Sequence, residues 1–300
     1  MANEQITIGD VTLELTSQRK VMFPEDGITK GDMISYYLEV ASAMLPHLAG
    51  RPLTVERFHS GIGEHGFVQK RAADYYPEWI PRVTVPRQEG GETTYPLVED
   101  AAALVYLANQ NSVVFHVVSV RSEHLTRPDL LVVDLDPEDG DFEKARRGAR
   151  LLGDMLSATG LVPFVKTTGS RGLHVVAPIF PDEPEAVMVF ARKLADRLCR
   201  IDPGAFTTET VKQQRGARVY VDCMRNGRMQ TIVAPYSLRA IAGAPVSTPL
   251  TWAELEDPAL NARRFTLRNV RERLQTVGDP WGAIREEARS LAAAWELLGD

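Results

Sequence analysis

The chain has 300 residues, 44% apolar and 25% charged, which excludes a disordered or fibrous protein and supplies core for one large domain or two modest ones. Its formal net charge of −6 argues against an indiscriminate nucleic-acid binder, unless basic residues are clustered, and Arg19-Lys20, Lys30, Lys70-Arg71 and residues 212–218 do lie outside the acidic tracts. No apolar run approaches the roughly 18 residues of a membrane span, Met1 to Gln5 lack the features of a signal peptide, and Cys199 and Cys223 are isolated, so a cytoplasmic protein is expected.

In chain order, Ile6-Thr-Ile8 and Val11 to Leu15 predict a short strand pair leading to a helix start at Thr16-Ser17. Pro24 to Gly27 is turn chemistry, and Thr29 caps a helix from Lys30 to about Leu48 with Met33, Ile34, Tyr37, Leu38, Ala41 and Leu45 on one stripe. A strand over Leu53–Phe58, a loop over residues 59–66, a helix over Asp100–Gln110 and a strand over Val113–Val120 follow. Beyond them come a strand ending at Pro137, a helix over Phe142–Ala158, strands at Leu161–Lys166 and Leu173–Pro178, and a helix over Glu185–Ile201. Strands at Val219–Asp222 and Thr231–Pro235 and a mostly helical last fifty residues complete the pattern. Strict βαβ alternation is absent, which favours an α/β fold of α+β type, with mixed or antiparallel sheets flanked by helices, over a Rossmann fold.

The segment Leu130-Leu-Val-Val-Asp-Leu-Asp-Pro137 reads as a buried strand that ends at a site. Strand residues two apart share a face, so Asp134 and Asp136 converge while Leu135 points into the core. Paired carboxylates repel unless a cation lies between them, and hard divalent ions suit such oxygen sites; the alternative is a pair of turn-capping aspartates. Asp222, at the end of another apolar strand, is a third carboxylate of the kind that two-metal chemistry requires, or it starts a hairpin toward Asn226-Gly227. Residues 167–174, Thr-Thr-Gly-Ser-Arg-Gly-Leu-His, offer backbone N–H groups, Ser170, Arg171 and His174 to a polyphosphate, or form a plain hairpin turn. His116 and His174 lie in strands without metal-pair spacing, and Arg225 and Arg239 are phosphate forks or solvated arginines. Phe67 is a base-stacking ring or a core aromatic, and Lys20 and Lys30 bracket a turn where they would clamp one phosphate near a helix start.

Taken together, Arg19-Lys-Val-Met-Phe-Pro24 with Thr29-Lys30, Gly50-Arg-Pro52, Thr94-Tyr-Pro96, Val132-Val-Asp-Leu-Asp-Pro137 and Gly169-Ser-Arg-Gly-Leu-His174 form an ordered series of motifs. Val219-Tyr-Val-Asp222 with Asn226, Ala234-Pro-Tyr-Ser-Leu-Arg239 and Thr251-Trp-Ala-Glu-Leu255 continue it. The series resembles the polymerase domain of bacterial ligase D and its stand-alone relatives, in the archaeo-eukaryotic primase superfamily. That resemblance implies a single primase-polymerase domain with an RRM-like catalytic core. Its N-terminal α/β module would span about 1–120, its catalytic module about 121–250, and its C-terminal helices 251–300.

It also implies a template-dependent nucleotidyltransferase of non-homologous end joining, adding ribonucleotides in preference to deoxyribonucleotides at DNA ends or gaps that bear a 5′-phosphate. Asp134, Asp136 and Asp222 would hold two Mn²⁺ or Mg²⁺ ions; Ser170, Arg171, His174 and Arg239 would grip the triphosphate, with His116 and Arg225 close to the incoming NTP. Lys20 and Lys30 fall on the 5′-phosphate pocket, and Arg57, Phe67 and Arg215 on DNA or template contacts. Val68 stands where the family has a second aromatic, and Glu56 replaces a basic residue. A partner ligase and an end-binding protein such as Ku are expected by analogy, and no membrane. A two-metal phosphohydrolase or nuclease, and a non-catalytic DNA-end-binding module, are the rival readings; the intact carboxylate triad speaks against the second.

Overall fold

The structure, a computed structural model, describes residues 4–299. The chain divides into two compact units. The first takes residues up to Val118 with Val233–Ser247 and Phe265–Gly278; the second takes Ser119–Ile232, Thr248–Arg264 and the residues from Asp279 onward. Among the described residues no helix is long and apolar enough to cross a membrane.

In the first unit, β1 (Glu4–Ile8) and β2 (Val11–Leu15) form a hairpin, and β3 (Val21–Phe23) and β4 (Ile28–Thr29) close the turn before α1 (Lys30–Leu48). Thr29 starts α1 with a reciprocal cap: its hydroxyl accepts from Asp32 N, and the Asp32 carboxylate accepts from Thr29 N. β5 (Leu53–Arg57), β6 (Phe67–Gln69), β9 (Ser112–Val118) and β15 (Thr231–Val233) form a four-stranded sheet in the order β15-β9-β5-β6, while β7 (Arg82–Pro86) and β8 (Glu92–Pro96) pair separately. α2 (Ala101–Asn109) packs on α1. Tyr37 of α1 ties two distant segments: its hydroxyl donates to Val113 O at 2.6 Å and accepts from Leu238 N at 3.1 Å.

The second unit is built on a six-stranded sheet. Its strands are β10 (Leu130–Pro137), β11 (Phe164–Thr167), β12 (Leu173–Pro178), β13 (Phe206–Thr207), β14 (Val219–Asp222) and β16 (Pro249–Leu250), in the order β13-β14-β10-β12-β11-β16. Every pair is antiparallel except β13 with β14. Helices α3 (Phe142–Ala158) and α4 (Pro184–Ile201) contact the sheet through Ala145, Ala149, Leu152 and Leu156 and through Val187, Phe190, Ala191, Leu194 and Leu198. A Cβ on Gly148 of α3 would touch Leu135, so that side chain points to the helices and Asp134 and Asp136 point the other way.

Three elements differ from expectation. No helix starts at Thr16-Ser17; Ser17 has φ of +53° and sits in a turn. Asn226-Gly227 does not turn a hairpin, because a 3₁₀ turn over Met224–Asn226 follows β14 and β15 joins β9 in the other sheet. Among the described residues after Leu250, the helical elements are α5 (Val270–Val277), α6 (Leu291–Leu298) and a short 3₁₀ turn, since Pro258, Gly278, Pro280 and Gly282 interrupt the helical period. They are shared between both units and do not form a block of C-terminal helices.

Tyr37→Phe keeps the ring but leaves Val113 C=O and Leu238 N–H buried without that hydroxyl. We expect a loss of about 1–3 kcal/mol in urea denaturation.

Candidate active site

Sheet register, more than sequence proximity, assembles the carboxylates. Asp134 lies directly opposite Asp222 on β14 and opposite His174 on β12, and His174 in turn lies opposite Lys166 on β11. Lys166, His174, Asp134 and Asp222 therefore form one buried row across four strands, with Asp136 two residues further along β10.

Arg225 closes this row electrostatically. Its Nε lies 3.1 Å from Asp222 Oδ2 and 3.6 Å from Asp134 Oδ2. Asp222 Oδ1 accepts from Met224 N at 2.8 Å, which starts the 3₁₀ turn that carries Arg225 back. Asn226 fixes the turn's far end. Its Oδ1 accepts from Val132 N at 2.8 Å, and its Nδ2 donates to Val132 O and Cys223 O, each at 2.7 Å.

The charges are unevenly satisfied. Burial and then the Asp134 carboxylate push Asp136 up to about 6, and burial raises Asp222 against the pull of Arg225. Burial also pushes Asp134 up, but His174, Arg225 and Lys166 outweigh it and hold that carboxyl below its ordinary range. Burial and then Lys166 push His174 down to about 4, so at neutral pH its ring is uncharged and the cations that hold Asp134 ionised are Arg225 and Lys166. Asp134 Oδ1 and His174 Nε2 are 3.4 Å apart, yet Asp134 Oδ1 and His174 Nδ1 have no hydrogen-bond partner.

The donor set suits a hard divalent cation: clustered carboxylates, two with raised pKa, and an unpartnered buried oxygen. In this arrangement, however, no three His, Cys, Asp or Glu side chains among the described residues converge on one ion position, and a guanidinium lies against two of the three aspartates.

The glycine loop between β11 and β12 is shaped by Thr168. Its hydroxyl accepts from Ser170 N and Gly172 N and donates to Gly172 O, each at 3.2 Å. Gly172 has no alternative residue, because a Cβ there would sit 1.8 Å from Leu135 O. Arg263 Nε donates to Ser170 O at 2.9 Å, so the loop is held from both sides. Just past β10, the buried Glu138 gathers Arg215 at 2.5 Å, Lys212 at 3.7 Å and Arg171 at 3.8 Å. Arg215 is further engaged by Glu209 O, Thr210 O and the face of Tyr220, its guanidinium 3.6 Å from the ring centroid.

The remaining predicted residues lie in the first unit. His116 Nε2 is 2.6 Å from Glu56 Oε1, and that bond, together with Arg239, holds Glu56 below the usual carboxylate range against its burial. The residue that departs from the family pattern is thus the partner that orients His116. Lys20 Nζ donates to His59 O at 2.8 Å and to the Asn111 side chain, and Lys30 Nζ to Thr16 Oγ1 at 2.9 Å. Burial lowers Lys20, and burial with the neighbouring Lys20 lowers Lys30 to about 8. Arg57 is buried, donating to Gln110 O and Gln69 Oε1 at 2.8 Å and to Tyr75 Oη at 2.6 Å, with its guanidinium 5.5 Å from the Phe67 centroid.

Sequence reasoning missed Lys166, Thr168, Glu138 and Arg263. Lys166 was visible as a lone cation in an apolar strand; the others act through loop contacts that leave no period.

Comparison with known proteins gives a consistent picture. The family model for the LigD primase-polymerase domain matches residues 29–281. The multifunctional non-homologous end joining DNA repair protein LigD of Mycobacterium tuberculosis is 39% identical over 280 residues, covering 88% of this chain and 36% of that protein. The bifunctional non-homologous end joining protein LigD of Bacillus subtilis is 31% identical over 272 residues, covering 90% of this chain and 43% of that one. The chain thus spans well under half the length of these relatives. Among solved structures, the polymerase domain of M. tuberculosis ligase D in complex with DNA superposes with a TM-score of 0.87 at 36% identity, covering 92% of this chain and 99% of that one.

Asn226→Ala strips two partners from Val132 and one from Cys223. We expect a loss of about 1–3 kcal/mol, read as a lower urea midpoint.

Proposed function

We propose that this chain, which belongs to the LigD primase-polymerase domain family, is the polymerase of a break-joining system and extends a 3′ end across a gap or DNA end. The observation that carries the reading is the meeting, on neighbouring strands of one sheet, of three aspartates short of positive charge and a glycine loop rich in donors. The first is chemistry for cations, the second for a polyphosphate, and a nucleotidyltransferase needs both.

Asp134, Asp136 and Asp222 would hold two divalent ions, Mn²⁺ or Mg²⁺. When bound, such ions lower the pKa of a primer 3′-hydroxyl and neutralise a leaving pyrophosphate. The chain's own part is positioning. The loop at Ser170 and Arg171, with His174, would receive the triphosphate; its conformation is set by Thr168 and Arg263 before any ligand arrives. Uncharged at neutral pH, the His174 ring would serve as a hydrogen-bonding group and not as a fixed cation. Arg225 would neutralise aspartates until ions take that role, and Arg239 would contribute to triphosphate binding. His116, its ring oriented by Glu56, would contact the incoming nucleotide. A polar contact to the ribose 2′-hydroxyl, from Ser170 or His116, would favour ribonucleotides. Sealing would fall to a DNA ligase, with an end-binding protein such as Ku holding the ends.

Lys20 and Lys30 would take the 5′-phosphate. The partners that the structure gives their ammonium groups are neutral oxygens, and each lysine in a shared, partly dehydrated site gains from an added anion. Phe67 would pack beside the templating base. Arg57 would support Phe67 from beneath, and Arg215 would contact DNA once detached from Glu138.

On a gapped duplex with a 5′-phosphate, offered NTPs or dNTPs with Mn²⁺, the protein should extend the primer, NTPs faster. Asp134→Asn should slow extension by two to three orders of magnitude or more. Shortening of the primer, or undiminished extension by the variant, refutes the reading; shortening would favour the phosphohydrolase instead. A second measurement concerns pH. Lys30 is charged below about 8 and loses its proton above, so tighter binding of 5′-phosphate over 5′-hydroxyl ends should decline as pH rises from 7 to 9.5. Lys30→Met should lack both the preference and its pH dependence, measured by competition binding.

A further inference from the structure

Burying an aromatic side chain removes roughly 150–250 Å² from contact with water, so a cluster left exposed calls for a reason. Of four exposed aromatic side chains among the described residues, three lie in one stretch of the first unit: Phe67 (43% exposed), Tyr75 (59%) and Trp79 (36%). Their exposure follows from the local turns. Between residues 72 and 80 the chain buries Ala72, Tyr76 and Ile80, each four residues apart, and presents Tyr75 and Trp79, also four apart. Backbone bonds from Tyr76 N to Ala73 O at 3.0 Å and from Ile80 N to Pro77 O at 3.1 Å fix that alternation.

The exposed rings belong to a continuous band. Trp79 meets Tyr106 edge-on at 5.9 Å, Tyr106 meets Tyr76 at 5.7 Å, and Tyr76 meets Tyr75 at 5.3 Å. The Tyr75 hydroxyl accepts from buried Arg57, whose guanidinium lies 5.5 Å from the Phe67 centroid. Arg57 is itself clamped by Gln110 and Gln69, and Gln69 Nε2 also donates to Tyr76 Oη at 3.1 Å. One buried cation thus contacts both Phe67 and Tyr75 and links the two exposed rings.

The chemistry of the band selects its occupant. A stable protein interface needs about 800 Å² per partner with an apolar centre. Here the exposed apolar residues are three aromatics and Val68, enough for a few flat ligands. Between Phe67 and Arg82 the basic residues Lys70, Arg71 and Arg82 outnumber Asp74 and Glu78, in a chain whose net charge is −6. Aromatic faces interleaved with cations are what successive bases on a polyanionic backbone require. We propose that this band is a stacking platform for single-stranded DNA, on which unpaired template bases beyond Phe67 pass over Tyr75 toward Trp79. The proposal rests on the reading that Phe67 packs beside the templating base.

The test uses the full chain and 5′-phosphorylated duplexes whose template overhang has either one or six unpaired nucleotides, with 2-aminopurine placed along the longer one. The wild type should bind the long overhang about tenfold more tightly or better, since base–aromatic stacking is worth about 1–3 kcal/mol per base and 1.4 kcal/mol is tenfold. Its 2-aminopurine fluorescence should fall on binding. Tyr75→Ala should abolish both the preference and the quench, Trp79→Leu should quench only the bases nearer the duplex, and Tyr75→Phe, which keeps the ring, should retain both. Thermal unfolding verifies that Tyr75→Ala is folded. A long-overhang preference and quench that survive Tyr75→Ala overturn the platform and point to a protein partner for this surface. Primer extension by the wild type on the one-nucleotide overhang tests the polymerase reading separately, so failure of one leaves the other standing.

Discussion

The six-stranded sheet depends on one constraint: Asp134 and Asp222 face each other directly across antiparallel strands. Like charges at such a position are about 4.5–5.5 Å apart at Cβ and destabilise the pair, the more so when buried. The strands remain paired because a cation is supplied from within the same turn. Arg225 can reach both carboxylates only if the chain reverses within three residues after Asp222, and Asn226 enforces that reversal by taking the place of a neighbouring strand along Val132. The hairpin suggested by Asn226-Gly227 would have left the carboxylates without this cation.

The same balance extends outward. Lys166, fully buried at the far end of the row, shares with Arg225 the work of keeping Asp134 ionised and leaves His174 neutral. Glu138, two residues beyond Asp136, then serves as the anionic counterpart for Arg171 from the glycine loop and for Lys212 and Arg215 from the segment before β14. A strand end and two loops are thereby fastened by one carboxylate. The two arginines are thereby held in place by a carboxylate in the unliganded protein.

Much of this was legible in the sequence, and the failures have a common origin. Strand alternation placed Asp134 and Asp136 on one face because that period is local. The opposition of Asp134 and Asp222 was not, since β10 pairs with β14, separated from it in the chain by two helices, and register over such distances is fixed by packing. Glu56 read as a departure from a family pattern until cross-strand geometry put it within 2.6 Å of His116. Arg57 and Arg215 read as DNA or template contacts, and their engagement by backbone carbonyls such as Gln110 O and Glu209 O was not visible, because such partners leave no trace in residue identity. The helical period after residue 250 was overruled by Pro258, by Gly278, at which α5 stops, and by Pro280 and Gly282 beyond it.

Net charge proved uninformative for a physical reason. The second unit concentrates carboxylates beyond what Lys166 and Arg225 neutralise, and the first holds Lys20 and Lys30 where burial lowers the proton affinity of both and Lys20 lowers that of Lys30 further. Each cluster is strained toward the opposite sign, so a sum over the chain cancels the two signals that matter. Such clusters destabilise the unliganded fold, and ligands of opposite charge relieve them, so binding energy and stability are linked through the same groups. Local excesses of either sign can therefore coexist in an acidic protein, because an exposed charge acts over about a Debye length and the total says nothing of how charges are grouped.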